Sequence, residues 1–408
     1  MNVSKGKLTA VGIGAFLMML CAGIINNSTT YFMLSVTEYL NVTKTTFSIY
    51  FTIVTVCSAI MALVVMPIAT KLGPTKSALT AMIGGGCGFF LLSRLTALWM
   101  VYAGAVLVGV FQSFVVVPSM SIINKWFVGK NTSTVTGIVM SATGFGGLMM
   151  GVLMPSVVSN FSWRTGYLVC TVLWVVVTLL ISILTAGEPP KTEAVKSVSQ
   201  TEQDNGKGEG TAKKGSAEYL RLIRSPRFIL LMITAMASAG VTMISQHMSV
   251  LLETNGMGVT MISAIMGVMS IALAIAKIIE GSLYDRVPRK VFIPVVMLIG
   301  AVGYFCLSLH STSALVLGVV GYGISAASCT VLYPAIMRHM FGRKMTTATW
   351  GICWAMFMLG HAVWTPLYAW TFDMTGSYSL GVYITTAIYI FLAVYLFILL
   401  SRPAHEED

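Results

Sequence analysis

Long apolar stretches separated by short polar connections dominate this sequence. A membrane-spanning helix needs about 20 mostly apolar residues, because roughly 30 Å of hydrocarbon is crossed at about 1.5 Å per residue. The stretches lack the apolar/polar alternation of a membrane β-barrel and are too long for its strands. They predict an all-α integral membrane protein with twelve transmembrane helices. We number them spans 1 to 12, and they cover approximately residues 8–34, 46–69, 77–94, 97–123, 132–159, 165–186, 228–252, 259–283, 291–309, 312–337, 347–370 and 379–400.

The scarcity of charged residues supports this class. The chain of 408 residues is 56% hydrophobic and 10% charged, with a mean hydropathy of +0.84, whereas an average soluble domain is about 25% charged. The seven cysteines all lie in apolar stretches and form neither a CxxC spacing nor a cluster with histidine. They are interpreted as packing residues, so we expect no disulfide framework, no metal site and no cofactor.

The positions of the basic residues predict the orientation. Of the 25 Lys and Arg residues, 21 lie in the termini and in alternate connections, on one predicted side of the membrane. Because positive charge is retained on the cytoplasmic side, both termini are expected in the cytoplasm of a protein of the cell membrane. The net charge of +11 then needs no nucleic-acid partner.

A polar segment divides the chain into two sets of six spans. It is rich in Lys, Glu, Ser and Gly, which is typical of a tether. We therefore predict an N-terminal six-helix bundle over residues 1–187, a cytoplasmic linker over 188–226, and a C-terminal six-helix bundle with a short cytoplasmic tail over 227–408.

Two independent matches indicate that the halves are repeats. The turn that begins at Thr70 resembles the turn that begins at Asp285, an offset of 215 residues. Pro118 and the following Phe127 resemble Pro334 and Phe341, with offsets of 216 and 214. Agreement on nearly one offset indicates a parallel repeat of the kind found in membrane transporters.

At these residues the chain resembles the major facilitator superfamily. The signature of that family between spans 8 and 9 is a Gly, three residues, an Asp, and then basic residues. The first copy, between spans 2 and 3, has Met66 and Thr70 where the family has Gly and Asp. The resemblance implies two pseudo-repeat bundles in the major facilitator fold, and a latch that holds the bundles together in one arrangement. A carboxylate at a helix end can hold basic groups or the positive end of a neighbouring helix. The expected latch residues are Gly281, Asp285, Arg286, Arg289, Lys290, Lys71 and Gly73.

Within the superfamily, the details are most similar to the branch with the oxalate/formate antiporters and monocarboxylate transporters. The shared features include Lys125-Trp126-Phe127, the glycine-rich span 5, and Trp350-Gly351 at the start of span 11. Members of that branch carry an arginine in span 8 where this chain has Lys277, and some carry a lysine where it has Phe357.

Lys277 and Glu280 are the most informative candidates for substrate binding. A charge in the membrane centre costs at least about 2.5–3.5 kcal/mol, so Lys277 is expected to face a watery cavity or a partner. One alternative is that Lys277 snorkels towards the cytoplasmic interface. Another is a local ion pair with Glu280, three residues on; in a third, a substrate anion competes for Lys277 while Glu280 takes a proton.

Polar and aromatic residues in other spans complete the predicted site. Spans 1 and 7 carry polar patches at equivalent positions of the repeat, and span 11 carries an aromatic stripe with a histidine. Each residue alone is as readily explained by helix packing or interhelical hydrogen bonding. The additional substrate-binding candidates are Asn26, Asn27, Tyr31, Gln112, Gln246, His247, Trp354, Phe357 and His361.

These features predict a secondary active transporter of a small organic anion, a mono- or dicarboxylate, working by alternating access as antiport or proton-coupled symport. The expected partners are this substrate, a coupling ion or counter-substrate, and the lipid bilayer, with the protein as a monomer. No phosphate-binding GxxxxGK[ST] motif and no catalytic constellation is present in the sequence, so neither an ATP-driven pump nor an enzyme is favoured. Efflux of a larger amphipathic compound is an alternative suggested by the 28 methionines, and a non-transporting membrane sensor is a second.

Overall fold

The computed structural model describes residues 5–42, 44–127, 131–186 and 219–401. Most of the predicted linker therefore lies outside the described residues. Within them the protein is helical, without strands. Its helices are Lys5–Ser28, Met33–Leu40, Lys44–Ser93, Leu98–Trp126, Thr132–Asn160, Trp163–Leu184, Pro226–Val241, Met248–Thr254, Val259–Tyr284, Arg289–Leu307, Thr312–Thr375 and Ser379–Leu400.

Two of these helices each contain two spans. The helix Thr312–Thr375 has 64 residues and turns at Gly342, where φ is 75° and ψ is 167°. The helix Lys44–Ser93 turns at Gly73 with the same two angles. A positive φ of this size strains any residue with a Cβ, so glycine is required at both turns. Spans 2 and 3 thus join at Gly73, and spans 10 and 11 join at Gly342. The described part of the chain has ten helices long and apolar enough to cross a membrane. The predicted twelve spans are reached because Thr312–Thr375 holds two of them and the shorter apolar helix Ile49–Val65 supplies one more.

Spans 1 and 7 are interrupted at corresponding places. In span 1 a 3-10 turn, Thr29–Phe32, separates two α-helices, and in span 7 the turn Thr242–Gln246 does the same. The polar patches predicted in these spans coincide with the interruptions. Such breaks in a membrane helix free backbone groups, and nearby polar side chains and water can satisfy them.

Span 5 lies between span 1 of its own half and span 8 of the other half. A Cβ added to Gly146 would lie 3.0 Å from the Cα of Gly23, and one added to Gly144 would lie 3.0 Å from the Cβ of Ala274. The helices therefore approach closely on both sides because span 5 has no side chains there.

Candidate functional site

The two halves are joined at the side of the membrane that carries the basic connections, which we call the basic face. Asp285, at the end of span 8, accepts two hydrogen bonds from Thr134 at the start of span 5. The donors are the backbone N–H, at 2.9 Å, and the hydroxyl, at 3.0 Å. A carboxylate is stabilised there because the first N–H groups of a helix lack partners within the helix and carry partial positive charge.

One turn into the membrane, spans 5 and 8 cross in direct contact. A Cβ on Gly281 would meet the carbonyl oxygen of Ser133 and would lie 3.0 Å from the Cα of Gly137. Both glycines are buried. No side chain larger than hydrogen fits at this crossing while the basic face is closed.

Three further side chains reach across the same face. Asn124 of span 4 donates to the hydroxyl of Thr347 in span 11, at 3.0 Å. Arg338 donates to the hydroxyls of Ser133 and Thr136, both at 3.4 Å, and Arg343 donates to the hydroxyl of Thr132 at 3.1 Å. The basic face is thus held by hydrogen bonds that join spans 4 and 5 to the C-terminal half.

The other expected latch residues lie away from this contact. Arg289 is exposed and within 2.7 Å of the Nδ1 atom of His339, in its own half. Arg286 and Lys290 are exposed. Gly73 forms the turn between spans 2 and 3, and the side chain of Lys71 lies outside the described residues.

Farther from the basic face, the outer parts of spans 5 and 8 carry exposed residues. A Cβ on Gly267, in the outer part of span 8, would meet nothing within 4 Å, and the neighbouring Ala264 and Val268 are exposed. In span 5, Pro155 and Ser156 are exposed as well. Where both partners are described, the hydrogen bonds between the halves lie at the basic face or at Lys277. The recorded contacts between spans 5 and 8 thus run from the basic face to Gly144, where an added Cβ would lie 3.1 Å from the carbonyl oxygen of Ser270.

Lys277 lies within this contact, on the basic-face side of Ala274. Its side chain is 3% exposed. The Nζ atom donates to the hydroxyl of Thr143 at 2.5 Å and to the carbonyl oxygen of Met140 at 3.2 Å, both in span 5. Gly144, beside Thr143, packs against Ala274, which lies one turn further from the basic face than Lys277. The ammonium group therefore points towards the membrane middle, the opposite of the direction that snorkelling would need.

Glu280 is turned away from Lys277. It is also 3% exposed, and its Oε1 atom accepts a hydrogen bond from Ser328 in span 10 at 3.4 Å. Its Oε2 atom is buried without a hydrogen-bond partner in the described structure. The two side chains thus bond to different spans, and the recorded contacts do not include the local ion pair that their spacing suggested.

Among the described candidates of spans 1 and 4, one hydrogen bond joins the two spans. Gln112 is buried and donates to the side-chain oxygen of Asn26 at 3.3 Å, while Asn26 is exposed. Asn27 donates to the carbonyl oxygen of Gly23 at 2.8 Å. Tyr31 is 38% exposed. The sequence patch therefore presents polar groups at the broken part of span 1, outward of the level of Thr143.

The candidates of spans 7 and 11 divide into two groups. His247 lies 3.1 Å from the carbonyl oxygen of Thr365 and 3.2 Å from the hydroxyl of Tyr378, which ties span 7 to span 11. Gln246 beside it is exposed, and His361 is half-buried.

The aromatic stripe of span 11 is buried. Trp354 and Phe357 have ring centroids 6.1 Å apart, and Trp350 and Tyr333 pack on the same Phe357 ring. The Nε1 atom of Trp354 is buried without a hydrogen-bond partner in the described part of the chain. In this conformation the stripe belongs to the core of the C-terminal half, and the structure records no contact between it and Lys277.

Comparison with known protein families shows the family to which this arrangement of helices belongs. The family model described as Major Facilitator Superfamily matches residues 12–331 and 230–408. The chain belongs to the Major Facilitator Superfamily. It is therefore a multi-pass integral membrane protein, as the apolar spans predict.

Members of the superfamily share this architecture at low sequence identity. The crystal structure of the human organic anion transporter MFSD10 superposes with a TM-score of 0.69 at 11% identity, over 98% of this chain and 100% of that one. An MFS-type transporter of Aspergillus fumigatus is 24% identical over 280 residues, which is 65% of this chain and 62% of the relative. The match thus spans less than two thirds of the fungal protein. The predicted superfamily is confirmed, while the carboxylate-transporting branch stays a prediction.

Several residues of this superfamily member were not found by sequence reasoning. Thr143 and Met140, which bind Lys277, carry no signal of their own, because a hydroxyl and a backbone carbonyl in a glycine-rich helix are common. Arg338 and Arg343 were noted only as loop charges. Their position next to the Phe341 repeat match was the available indication that they lie at an interface between the halves.

Proposed function

We propose that the protein is a secondary active transporter that moves a small organic anion, a mono- or dicarboxylate, by alternating access of its two halves. The observation that carries the proposal is Lys277. A buried ammonium group is stable when an opposite charge or several strong acceptors surround it. Here the hydrogen-bond acceptors are two neutral oxygens, and Glu280 interacts with the ammonium group only through space. A substrate carboxylate would supply a directly bonded counter-charge.

The location of Lys277 connects substrate binding to movement. Both of its acceptors belong to the other half of the protein. A carboxylate that binds Nζ competes with these contacts, so the free energy of binding can change the balance between the two arrangements of the halves. MFSD10, which shares the fold, is described as an organic anion transporter, and this agrees with the proposed cargo.

The present conformation corresponds to one end of the transport cycle. With the basic face in the cytoplasm, as the distribution of Lys and Arg predicts, the protein is closed to the cytoplasm and open to the outside. The hydrogen bonds that Asp285 accepts and those that Arg338 and Asn124 donate must then break for the substrate to reach the cytoplasm. Glu280, whose Oε2 atom lacks a hydrogen-bond partner in the described structure, is the proposed proton carrier if transport is symport.

Counterflow in proteoliposomes tests this function. Purified protein is reconstituted with unlabelled carboxylate inside, and uptake of labelled formate, lactate, oxalate and succinate is measured. We expect saturable uptake of at least one of them. Lys277→Met keeps the length of the side chain and removes its charge, and we expect it to lower kcat/KM by tenfold or more, as for a lost charged hydrogen bond worth roughly 1.5–3 kcal/mol.

Lys76→Met is the matched control, because Lys76 is exposed at the start of span 3 and loses the same charge. Equal uptake by Lys277→Met and wild type would refute the anion site. A protonophore that abolishes uptake driven by a pH gradient, but not counterflow, would identify proton symport. Uptake of none of the carboxylates, with export of amphipathic dyes instead, would favour the efflux function.

A further inference from the structure

Three cationic side chains of the C-terminal half follow span 5 from the membrane middle to the basic face. Lys277 binds at Thr143, Arg338 at Thr136 and Ser133, and Arg343 at Thr132. At about 1.5 Å per residue, the level of Arg338 lies roughly 10 Å from that of Lys277. The cations therefore form a row with one member near the proposed substrate site and two at the basic face.

Of the three cationic side chains, Arg338 makes the longest recorded hydrogen bonds. Its NH2 nitrogen lies 3.4 Å from the hydroxyls of both Ser133 and Thr136, and its NH1 nitrogen lies 3.7 Å from the sulfur of Met120. The hydroxyl of Thr136 also donates to the carbonyl oxygen of Thr132, at 2.8 Å. A guanidinium group binds carboxylates and other oxyanions at about 2.7–2.9 Å through two parallel hydrogen bonds. The donors of Arg338 are thus only partly satisfied.

The carboxylates described near the basic face are engaged elsewhere. Asp285 accepts both hydrogen bonds from Thr134, and Glu280 bonds to Ser328. The structure records no ion pair for Arg338 among the described residues. The hydroxyls that it contacts all belong to the N-terminal half, and they will leave with span 5 when the basic face opens.

We propose that Arg338, with Arg343 beside it, forms a second anion-binding site, which span 5 covers in this conformation and uncovers when the halves separate at the basic face. Its ligands are oxyanions: the carboxylate of the cargo, or an inorganic anion such as sulfate. Because the anion binds only the open arrangement, it stabilises that arrangement by mass action. Only the statement that the cargo carboxylate is one of these ligands rests on the proposed function.

The test measures the opening of the basic face with sulfate as the probe. Two fluorophores are introduced in the full chain, one at Asn131 and one at Lys290, both exposed on opposite sides of the Asp285–Thr134 contact. Energy transfer between them is recorded in proteoliposomes, during titration with sodium sulfate or with sodium chloride at the same ionic strength. We expect sulfate to raise the ratio of open to closed molecules at least threefold above chloride in the wild type.

Variants of the two sides of the contact separate anion binding from simple loosening of the latch. Arg338→Gln is expected to abolish the difference between sulfate and chloride. The double variant Ser133→Ala/Thr136→Val removes the acceptors and keeps the cation, so it is expected to be more open without sulfate and still to respond to it. Arg338→Lys keeps the charge without the forked donors, and an intermediate response is expected.

Two results would overturn the proposal: a sulfate response of Arg338→Gln equal to that of the wild type, or equal effects of sulfate and chloride on the wild type. If Arg338→Gln does not fold, Arg338→Lys and the double variant still test the proposal. Only anion binding predicts a reduced sulfate response in Arg338→Lys together with a full response in the double variant. The energy-transfer measurement needs no carboxylate transport. Failure of the proposed function would therefore leave this test intact.

Discussion

Gly281→Ala is expected to shift the protein towards the arrangement that is open at the basic face. The added Cβ would meet the carbonyl oxygen of Ser133 and would lie 3.0 Å from the Cα and 3.1 Å from the backbone nitrogen of Gly137. Carbon atoms pack at about 3.5–4.0 Å, so spans 5 and 8 would have to separate by roughly 0.5–1 Å. Backbone atoms on both sides cannot turn aside as a flexible side chain would.

The magnitude follows from the cost of overpacking. Inserting a methyl group into a tight contact costs about 1–3 kcal/mol. The cost arises only in the closed arrangement, since the two glycines separate when the basic face opens. The ratio of closed to open molecules should therefore fall roughly 5- to 150-fold, with a smaller effect on the thermal stability of the protein.

Gly267→Ala is the matched control for this substitution. It lies in the same helix, and its Cβ would meet nothing within 4 Å. Both variants gain the same helix propensity, up to about 1 kcal/mol, so their difference isolates the clash. Energy transfer between labels at Asn131 and Lys290 reports the closed fraction. An identical closed fraction in the two variants would refute the reasoning.

Three further substitutions examine the same face. Asp285→Asn keeps the shape of the side chain but removes its charge at the start of span 5. We expect it to lower the closed-to-open ratio about fivefold, because a charge at a helix end contributes roughly 1 kcal/mol. Energy transfer between the same labels measures the ratio, and an unchanged ratio would contradict the prediction. Asn124→Ala and Thr347→Ala remove a hydrogen bond between spans 4 and 11. A double-mutant cycle on the closed-to-open ratio should give a coupling of about 0.5–1.5 kcal/mol, whereas additive effects would show that this bond does not help to hold the face closed.

Features that depend on local composition could be predicted from the sequence. The twelve spans follow from apolar stretches of sufficient length, and the repeat follows from two motifs at one offset. The turn glycines are equally local, because the angles at Gly73 and Gly342 strain every other residue type. The glycine-rich composition of span 5 is a local feature as well, because small side chains let two helices approach closely.

The partners of the candidate residues could not be predicted in this way. Lys277 and Thr143 are 134 residues apart, and no periodicity joins a lysine in one half to a threonine in the other. The spacing of Lys277 and Glu280 favoured an ion pair, yet the two side chains bond to spans 5 and 10. The spacing on one helix shows which side chains can be neighbours, whereas the packing of the other helices determines which contacts form.

The asymmetry between the halves gives the proposed mechanism its direction. The repeat places Ala62 at the position that corresponds to Lys277, and Thr70 at the position of Asp285. The C-terminal half therefore supplies both the buried cation and the capping carboxylate, while span 5 supplies neutral acceptors to the cation and neutral donors to the carboxylate. An anion that replaces Thr143 at Lys277 weakens one contact of span 5 without an equivalent loss elsewhere in the N-terminal half. Release of span 5 from span 8, rather than a symmetric loosening of both repeats, is then the step that opens the basic face.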